Sequence, residues 1–325
     1  MDDDTVGVRP PPPGVTPDFH STPWLHQANR ITVAVGLTVS TLFLLMRLYT
    51  KAYVIRKLWW DDVSIVLAWI FSIGTQATIL YGYAHSSFAI HIWNMPVSRL
   101  VAYRTTILAV AVLYLPALAF AKLAVIMLYY RVLKSVRMWQ YILWVLGAGI
   151  SAYSLSLVLG LIFACHPIQA GWTVSPPAAC KRRSGLYMGT AIANTASDVV
   201  LLAIPVTFLW GMHLPLLQKI GIMCLFGIGC LTVITSIVRL VTLIPLLASN
   251  DQPHNIGLAC LFIAIEANFI ILCGSAPYLR QFFRHHKDWS PRMRVSSKDT
   301  SRTERPGGIE MATGESYELE YSTRV

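Results

Sequence analysis

The stretch "RLYTKAYVIRKLWWDDVSIVLAWIF", residues 47–71, decides how the chain is read. Basic residues come first, two tryptophans and two aspartates follow back to back, and an apolar run closes it. An aspartate at the mouth of an apolar helix accepts the free N–H groups of its first turn and meets the positive end of its dipole. Tryptophan is at home at headgroup depth, where one end of the ring is apolar and the other wet. Arg47 to Lys57 therefore read as a cytoplasmic turn between two membrane helices. Arg47, Tyr49, Trp59, Trp60, Asp61 and Asp62 form its interfacial motif. Asp61 or Asp62 caps the second helix and pairs with Arg47 or Arg56 across the turn.

The rest of the chain fits that setting. Of 325 residues, 55% are hydrophobic and 13% charged, with a mean hydropathy of +0.54. A helix crosses a membrane in roughly 20 residues. Seven apolar runs of that length stand at about 30–50, 62–84, 105–130, 139–164, 186–210, 220–248 and 257–279. The expected fold is all-α: a seven-transmembrane-helix bundle over residues 29–284. Residues 1–28, with "RPPPPG", read as a disordered extracellular tail, and residues 285–325 as a disordered cytoplasmic tail. The first residues are acidic and proline-rich, so the first apolar run is expected to serve as the insertion signal.

Lys and Arg set the orientation. Arg47, Lys51, Arg56 and Lys57, then Arg131, Lys134 and Arg137, crowd one side, and the C-terminal tail adds more. An N-out, C-in layout puts this majority in the cytoplasm. The formal charge of +10 does not gather on a polar module, so the expected partner is the lipid bilayer and not nucleic acid.

Charges inside spans usually face the bundle interior. Lys122, Asp198, Arg239 and Glu266 are the four that the runs enclose. Arg239 and Glu266 both fall ~13 Å from the outer ends of their helices at 1.5 Å per residue, so they are expected to pair. Lys122 can reach Asp198, with Asn194 one turn before it. These five residues are candidates for a buried network or a ligand cavity. Two internal ion pairs that only fix packing would look the same.

Of the six cysteines, Cys165 and Cys180 lie in one outer loop, where an oxidising exterior favours a disulfide over two free thiols. That bridge would shape a lid containing Trp172, Pro176 and Pro177. Six histidines, His91 and His254 among them, fall on the outer side. Their spacings match no metal motif, so no metal is expected. Pro116, Pro205, Pro245 and Pro277 lie within or end spans and are expected to kink them around a cavity.

The order of these elements resembles the fungal rhodopsin-domain family of seven-helix integral membrane proteins. The resemblance rests on the RLY and LWWDD elements between Arg47 and Trp69, then on "AKLAVIMLYYRVL" (residues 121–133) and "CHPIQAGW" (165–172) followed by Cys180. It continues through "NTASDVVLLAIP" (194–205), "SIVRL" (236–240) and "EANFIILCGSAPYLR" (266–280). A basic residue common in that family shortly after the RLY triplet stands here as Lys51. The resemblance implies the fold, the topology and a receptor-like role related to surface sensing. It does not imply retinal: residues 257–279 contain no lysine, and Lys122 is the only lysine inside a span.

The expected function is a plasma-membrane receptor-like protein. An extracellular ligand would occupy a cavity between helices, and the inner loops and tail would engage a cytoplasmic signalling partner, with Arg131 as a coupling candidate. The alternative is a small-molecule or ion transporter using Lys122, Asp198, Arg239 and Glu266. No HExxH or GxSxG stands in the spans, so no enzymatic activity and no cofactor are expected.

Overall fold

The computed structural model describes residues 8–14, 24–133, 137–171, 179–180, 183–209, 216–249 and 251–289. The chain divides into two units, residues 1–288 and 289–325, and all of the second except Trp289 lies outside the described residues. So do most of the expected tails and the loop carrying Trp172, Pro176 and Pro177.

Seven helices follow one another: α1 (Trp24–Tyr49), α2 (Trp60–His85), α3 (Leu100–Val132), α4 (Arg137–Ile162), α5 (Arg183–Leu209), α6 (Leu216–Ala248) and α7 (Gln252–Trp289). Each contains a stretch long and apolar enough to cross a membrane. The seven-helix expectation holds, with changed boundaries. Helix α1 begins at Trp24, inside the stretch read as a tail, because Leu25 and Asn29 are buried against α2 and α7. The Val8 N–H also donates to the Met95 carbonyl (3.0 Å). Helix α7 runs on to Trp289, so residues 285–289, read as part of the tail, are helix.

The turn after α1 also differs from its reading. The chain stays helical as a π-turn over Thr50–Ile55 and leaves at Arg56, whose φ is +56°. The connection proper is thus only Arg56–Trp59. Arg47 and Lys51, four residues apart, remain on one helical face, turned inward.

Helices α3 and α7 are central: 61% of the most apolar window of each is buried, against 22% for α1 and α4. Helix α3 feeds every apolar cluster, with Tyr103 and Val110 near the α2–α3 connection, Leu118 and Ala121 midway, and Ile126 near its end. A short antiparallel pair, β1 (Cys165–His166) with β2 (Ala179–Cys180), folds the α4–α5 connection. The four prolines lie inside α3, α5, α6 and α7.

The α2–α3 connection packs onto the start of α7. The Ala89 N–H donates to Pro253 O (2.8 Å), and Ala89 itself sits at φ +63°. This approach needs Gly257: a Cβ there would stand 2.5 Å from Ala89 Cβ. Gly149 in α4 has nothing within 4 Å of the same position. Gly257→Val is therefore expected to lose about 1–3 kcal/mol through overpacking. Gly149→Ala should hold or gain, because alanine suits a helix interior better by about 1 kcal/mol. Thermal unfolding of the detergent-purified variants checks the contrast, and equal midpoints would contradict it.

Candidate functional site

At the end of the bundle where α1 passes into α2, four charges meet. Arg47 and Lys51 are fully buried. Arg47 Nη2 lies 2.6 Å from Asp61 Oδ2 and its Nε 3.1 Å from Asp62 Oδ1. Lys51 Nζ pairs with Asp61 and, at 2.8 Å, with Asp62. Arg47 Nη1 donates to the Gly274 carbonyl of α7 (2.6 Å), and the Tyr278 hydroxyl donates to Asp61 (3.3 Å). Both cations lie under 5 Å from the Tyr278 ring centroid. Asp62 also accepts the Trp59 N–H (3.0 Å), so the capping role expected of it is present. The pairing partners are Arg47 and Lys51; Arg56, the other candidate, is exposed. The count of four enclosed charges is thus corrected. Lys51, expected in a loop, is kept inside the helix by the π-turn.

The second network lies deeper. Lys122 Nζ is 3.0 Å from Asp198 Oδ1 and donates to Asn194 O (3.0 Å), Asn194 Oδ1 (2.7 Å) and Ser197 Oγ (2.6 Å). Arg239 Nε is 2.9 Å from Glu266 Oε2, and Tyr114 donates to the same carboxylate. Both expected pairs are present, but they are not separate. The Asn194 amide donates to Asp198 and Glu266, and Ser236 Oγ lies 2.7 Å from Asp198 and 2.5 Å from Glu266. A hydroxyl has one proton, so Ser236 serves one carboxylate at a time. Ser236, Ser197 and Tyr114 carry no charge that would single them out in the sequence. The spacing Ser236–Arg239, three residues on one helical face, is the clue that could have found the first.

A third polar layer ties α1, α2 and α7. Asn268 pairs with Gln76 in both directions (3.0 and 3.3 Å) and accepts from Ser40 (2.9 Å).

Between α3, α5, α6 and α7, toward the α2–α3 and α6–α7 connections, lies a cavity of about 110 Å³. Its lining is mostly apolar, with Tyr103, Tyr114, Tyr187 and Arg239 among it. Of the five predicted cavity residues only Arg239 lines it; Glu266 stands behind Arg239 and Tyr114. Arg239 Nε and Nη2 and the Tyr103 hydroxyl are buried and have no hydrogen-bond partner among the described residues, Nε meeting Glu266 only as an ion pair. Two residues that line the cavity, Arg239 and Tyr103, thus hold polar groups without a hydrogen-bond partner, one of them a buried cation.

The remaining candidates sit near helix ends. Tyr49, Trp59 and Trp60 are exposed, as an interfacial belt requires. Arg131 is exposed and stacks its guanidinium 4.7 Å over Trp59. Cys165 is disulfide-bonded, and the ladder sets Cys180 opposite it.

Seven apolar helices enclosing paired charges define a multi-pass membrane protein of the seven-helix class. The chain belongs to the fungal rhodopsin domain family, whose domain matches residues 46–285, a span that includes both charge networks. Among curated proteins it is similar to "Fugralins biosynthesis cluster protein 2" of Gibberella zeae, 21% identical over 81% of this chain and 67% of that protein. It is also similar to the "SAT4 family membrane protein" of Emericella nidulans, 26% identical over 65% of this chain and 54% of that one. "Wortmanamides biosynthesis cluster protein C" of Talaromyces wortmannii is 22% identical over 58% of this chain and 53% of its own length. The chain thus spans about half the length of the latter two.

Lys122→Met leaves the Asp198 carboxylate buried without its cation and is expected to cost about 3–5 kcal/mol. Adding Asp198→Asn removes that charge while keeping an acceptor for Ser236, and should recover at least half the loss. Unfolding midpoints of the single and double variants decide it. A double variant no more stable than the single one would mean the pair is not what holds these helices.

Proposed function

We propose that this protein is a receptor-like protein of the plasma membrane, N-terminus outside, whose ligand occupies the cavity above Arg239. The observation that carries the reading is a buried arginine lining that cavity whose Nη2 has no hydrogen-bond partner and whose Nε meets Glu266 as an ion pair at 2.9 Å without a hydrogen bond. A ligand acceptor that engages Nη2 pulls on a guanidinium already tied to the network, and the network reaches α3 and α5 through Asn194 and Asp198.

Charge balance indicates the ligand class. Lys122, Arg239, Asp198 and Glu266 sum to zero, so an added carboxylate would be an uncompensated buried charge. A neutral carbonyl completes Nη2 and leaves the balance intact. A 150 Å³ apolar cavity holds benzene, so about 110 Å³ takes one small ring or the end of a longer apolar molecule. The reading involves no catalysis and no retinal. Against a Schiff base, Lys122 Nζ is spent on Asn194, Ser197 and Asp198. The exposed basic end bearing Arg56, Lys57 and Arg131 is where a cytoplasmic partner would bind. Transport is the weaker alternative. The larger groove at that end, lined by Trp59, Trp60 and Arg131, lies against α2, α3 and α4, whereas the Arg239 cavity lies against α3, α5, α6 and α7.

Cyclohexanone, benzaldehyde, toluene and benzoate serve as probes on the chain in nanodiscs. The two carbonyl compounds should raise the unfolding midpoint more than toluene or benzoate, and Arg239→Leu should abolish the difference. Hydrogen exchange of residues 50–59 should change on carbonyl binding. Equal effects of all four probes would refute the site, and binding without a response at residues 50–59 would refute the receptor role.

A further inference from the structure

The histidines of the connections do come together, though their sequence spacing hid it. His91 precedes a short helical turn in the α2–α3 connection, Asp251 sits in the α6–α7 connection, and His254 lies in the first turn of α7. One ligating atom from each of the three lies within 4.8 Å of the others. A single linear motif could not show this, because 160 residues separate His91 from Asp251.

The three are held from behind. The Ile92 N–H donates to Asp251 Oδ1 (2.9 Å), which fixes the carboxylate and leaves Oδ2 facing His91 Nδ1 at 2.5 Å. The Asp251 N–H donates to Ser249 Oγ (2.9 Å), and the Ala89–Pro253 backbone bond ties the two connections beside them. The His91 ring is sandwiched between Trp93 (4.4 Å) and His254 (4.2 Å, 3° from parallel). His254 makes no hydrogen bond among the described residues, so its ring nitrogens are open. A hydrogen-bonded His–Asp pair would be enough to fasten two loops. The second imidazole, stacked against the first beside the same carboxylate and otherwise unengaged, is what that account leaves over.

We propose that His91, Asp251 and His254 form a divalent transition-metal site, of the kind that takes Zn²⁺. Two imidazoles and one carboxylate are borderline donors suited to Zn²⁺, Ni²⁺ or Cu²⁺, whereas Ca²⁺ and Mg²⁺ ask for oxygen alone. Bond lengths near 2.0–2.2 Å put tetrahedral ligands about 3.4 Å apart. The present spread of up to 4.8 Å closes by side-chain rotation, and the short Nδ1–Oδ2 contact opens as the ion takes the place of its proton. Three protein ligands leave a fourth position for water or an external group. Phe88, Gln252 and Ile256 line the neighbouring cavity, so the ion fastens the rim of that cavity. The site itself does not depend on the cavity having a ligand.

The test uses the full chain in nanodiscs, purified without a polyhistidine tag. Calorimetry with Zn²⁺ should give one ion per chain with a dissociation constant below about 10 µM. The Cu²⁺-loaded protein should show nitrogen hyperfine structure from two imidazoles. His254→Gln is the deciding variant, since it removes a ligand without breaking a hydrogen bond. In chelator its unfolding midpoint should match the parent, while Zn²⁺ affinity falls at least about tenfold. His85→Gln, outside the cluster, should change neither. Unaltered Zn²⁺ affinity in His254→Gln, or no binding by the parent at 100 µM, overturns the site.

Discussion

Inside a membrane bundle a charge has no bulk water to solvate it, so each must find its opposite on another helix. Among the described residues the bundle encloses four cations, Arg47, Lys51, Lys122 and Arg239, and four carboxylates, Asp61, Asp62, Asp198 and Glu266. They divide into two neutral groups of four. Such pairs contribute little net stability against an apolar replacement, but a broken one is costly, so what they supply is register. A slip of one helical turn is about 5.4 Å. That would part Lys122 from Asp198, and Arg239 from Glu266, which now lie 3.0 and 2.9 Å apart. Arg47 adds a third lock through the Gly274 carbonyl, and the π-turn keeps Lys51 beside it on the same carboxylates.

Helix α7 belongs to both halves of this scheme. One face gives Asn268, the Gly257 and Gly274 carbonyls and Tyr278 to α1 and α2. The other gives Glu266 to α3, α5 and α6 through Tyr114, Asn194, Ser236 and Arg239. The contacts to α1 and α2 recur at three levels along the helix. Those to the other set gather around one carboxylate, and the cavity lies next to it. The more concentrated attachment is thus the one beside the open volume.

Much of this was legible in the sequence, and the failures share a physical cause. The seven spans follow from hydropathy and length. Lys122–Asp198 and Arg239–Glu266 follow from depth along helices of known rise. Lys51 was misplaced because basic residues beside tryptophans look like an interfacial turn, and nothing in the letters announces that a π-turn carries the helix six residues further. Ser236 and Tyr114 escaped because neutral polar groups in a membrane helix carry no cost large enough to flag them. Helix α1 begins early because the buried Asn29 amide N–H groups donate to Tyr83 and Gly257, partners 54 and 228 residues away. His91 and His254 read as ordinary loop residues for the same reason: their juxtaposition is made by the docking of two connections.

On the proposed reading, the cavity makes a stabilising network available for coupling. A buried donor without a partner costs about 1–3 kcal/mol. Arg239 Nη2 is such a donor, beside the 2.9 Å ion pair of Nε with Glu266. A molecule that brings an acceptor to Nη2 relieves that cost only in the arrangement where the guanidinium faces the cavity. It therefore favours that arrangement by its differential contact, which is all that a population shift requires. Glu266 shares its carboxylate among Tyr114, Asn194, Ser236 and Arg239. On the proposed reading the same side chain thus completes a charge pair and senses an occupant. The neutrality of the network restricts that occupant to uncharged acceptors.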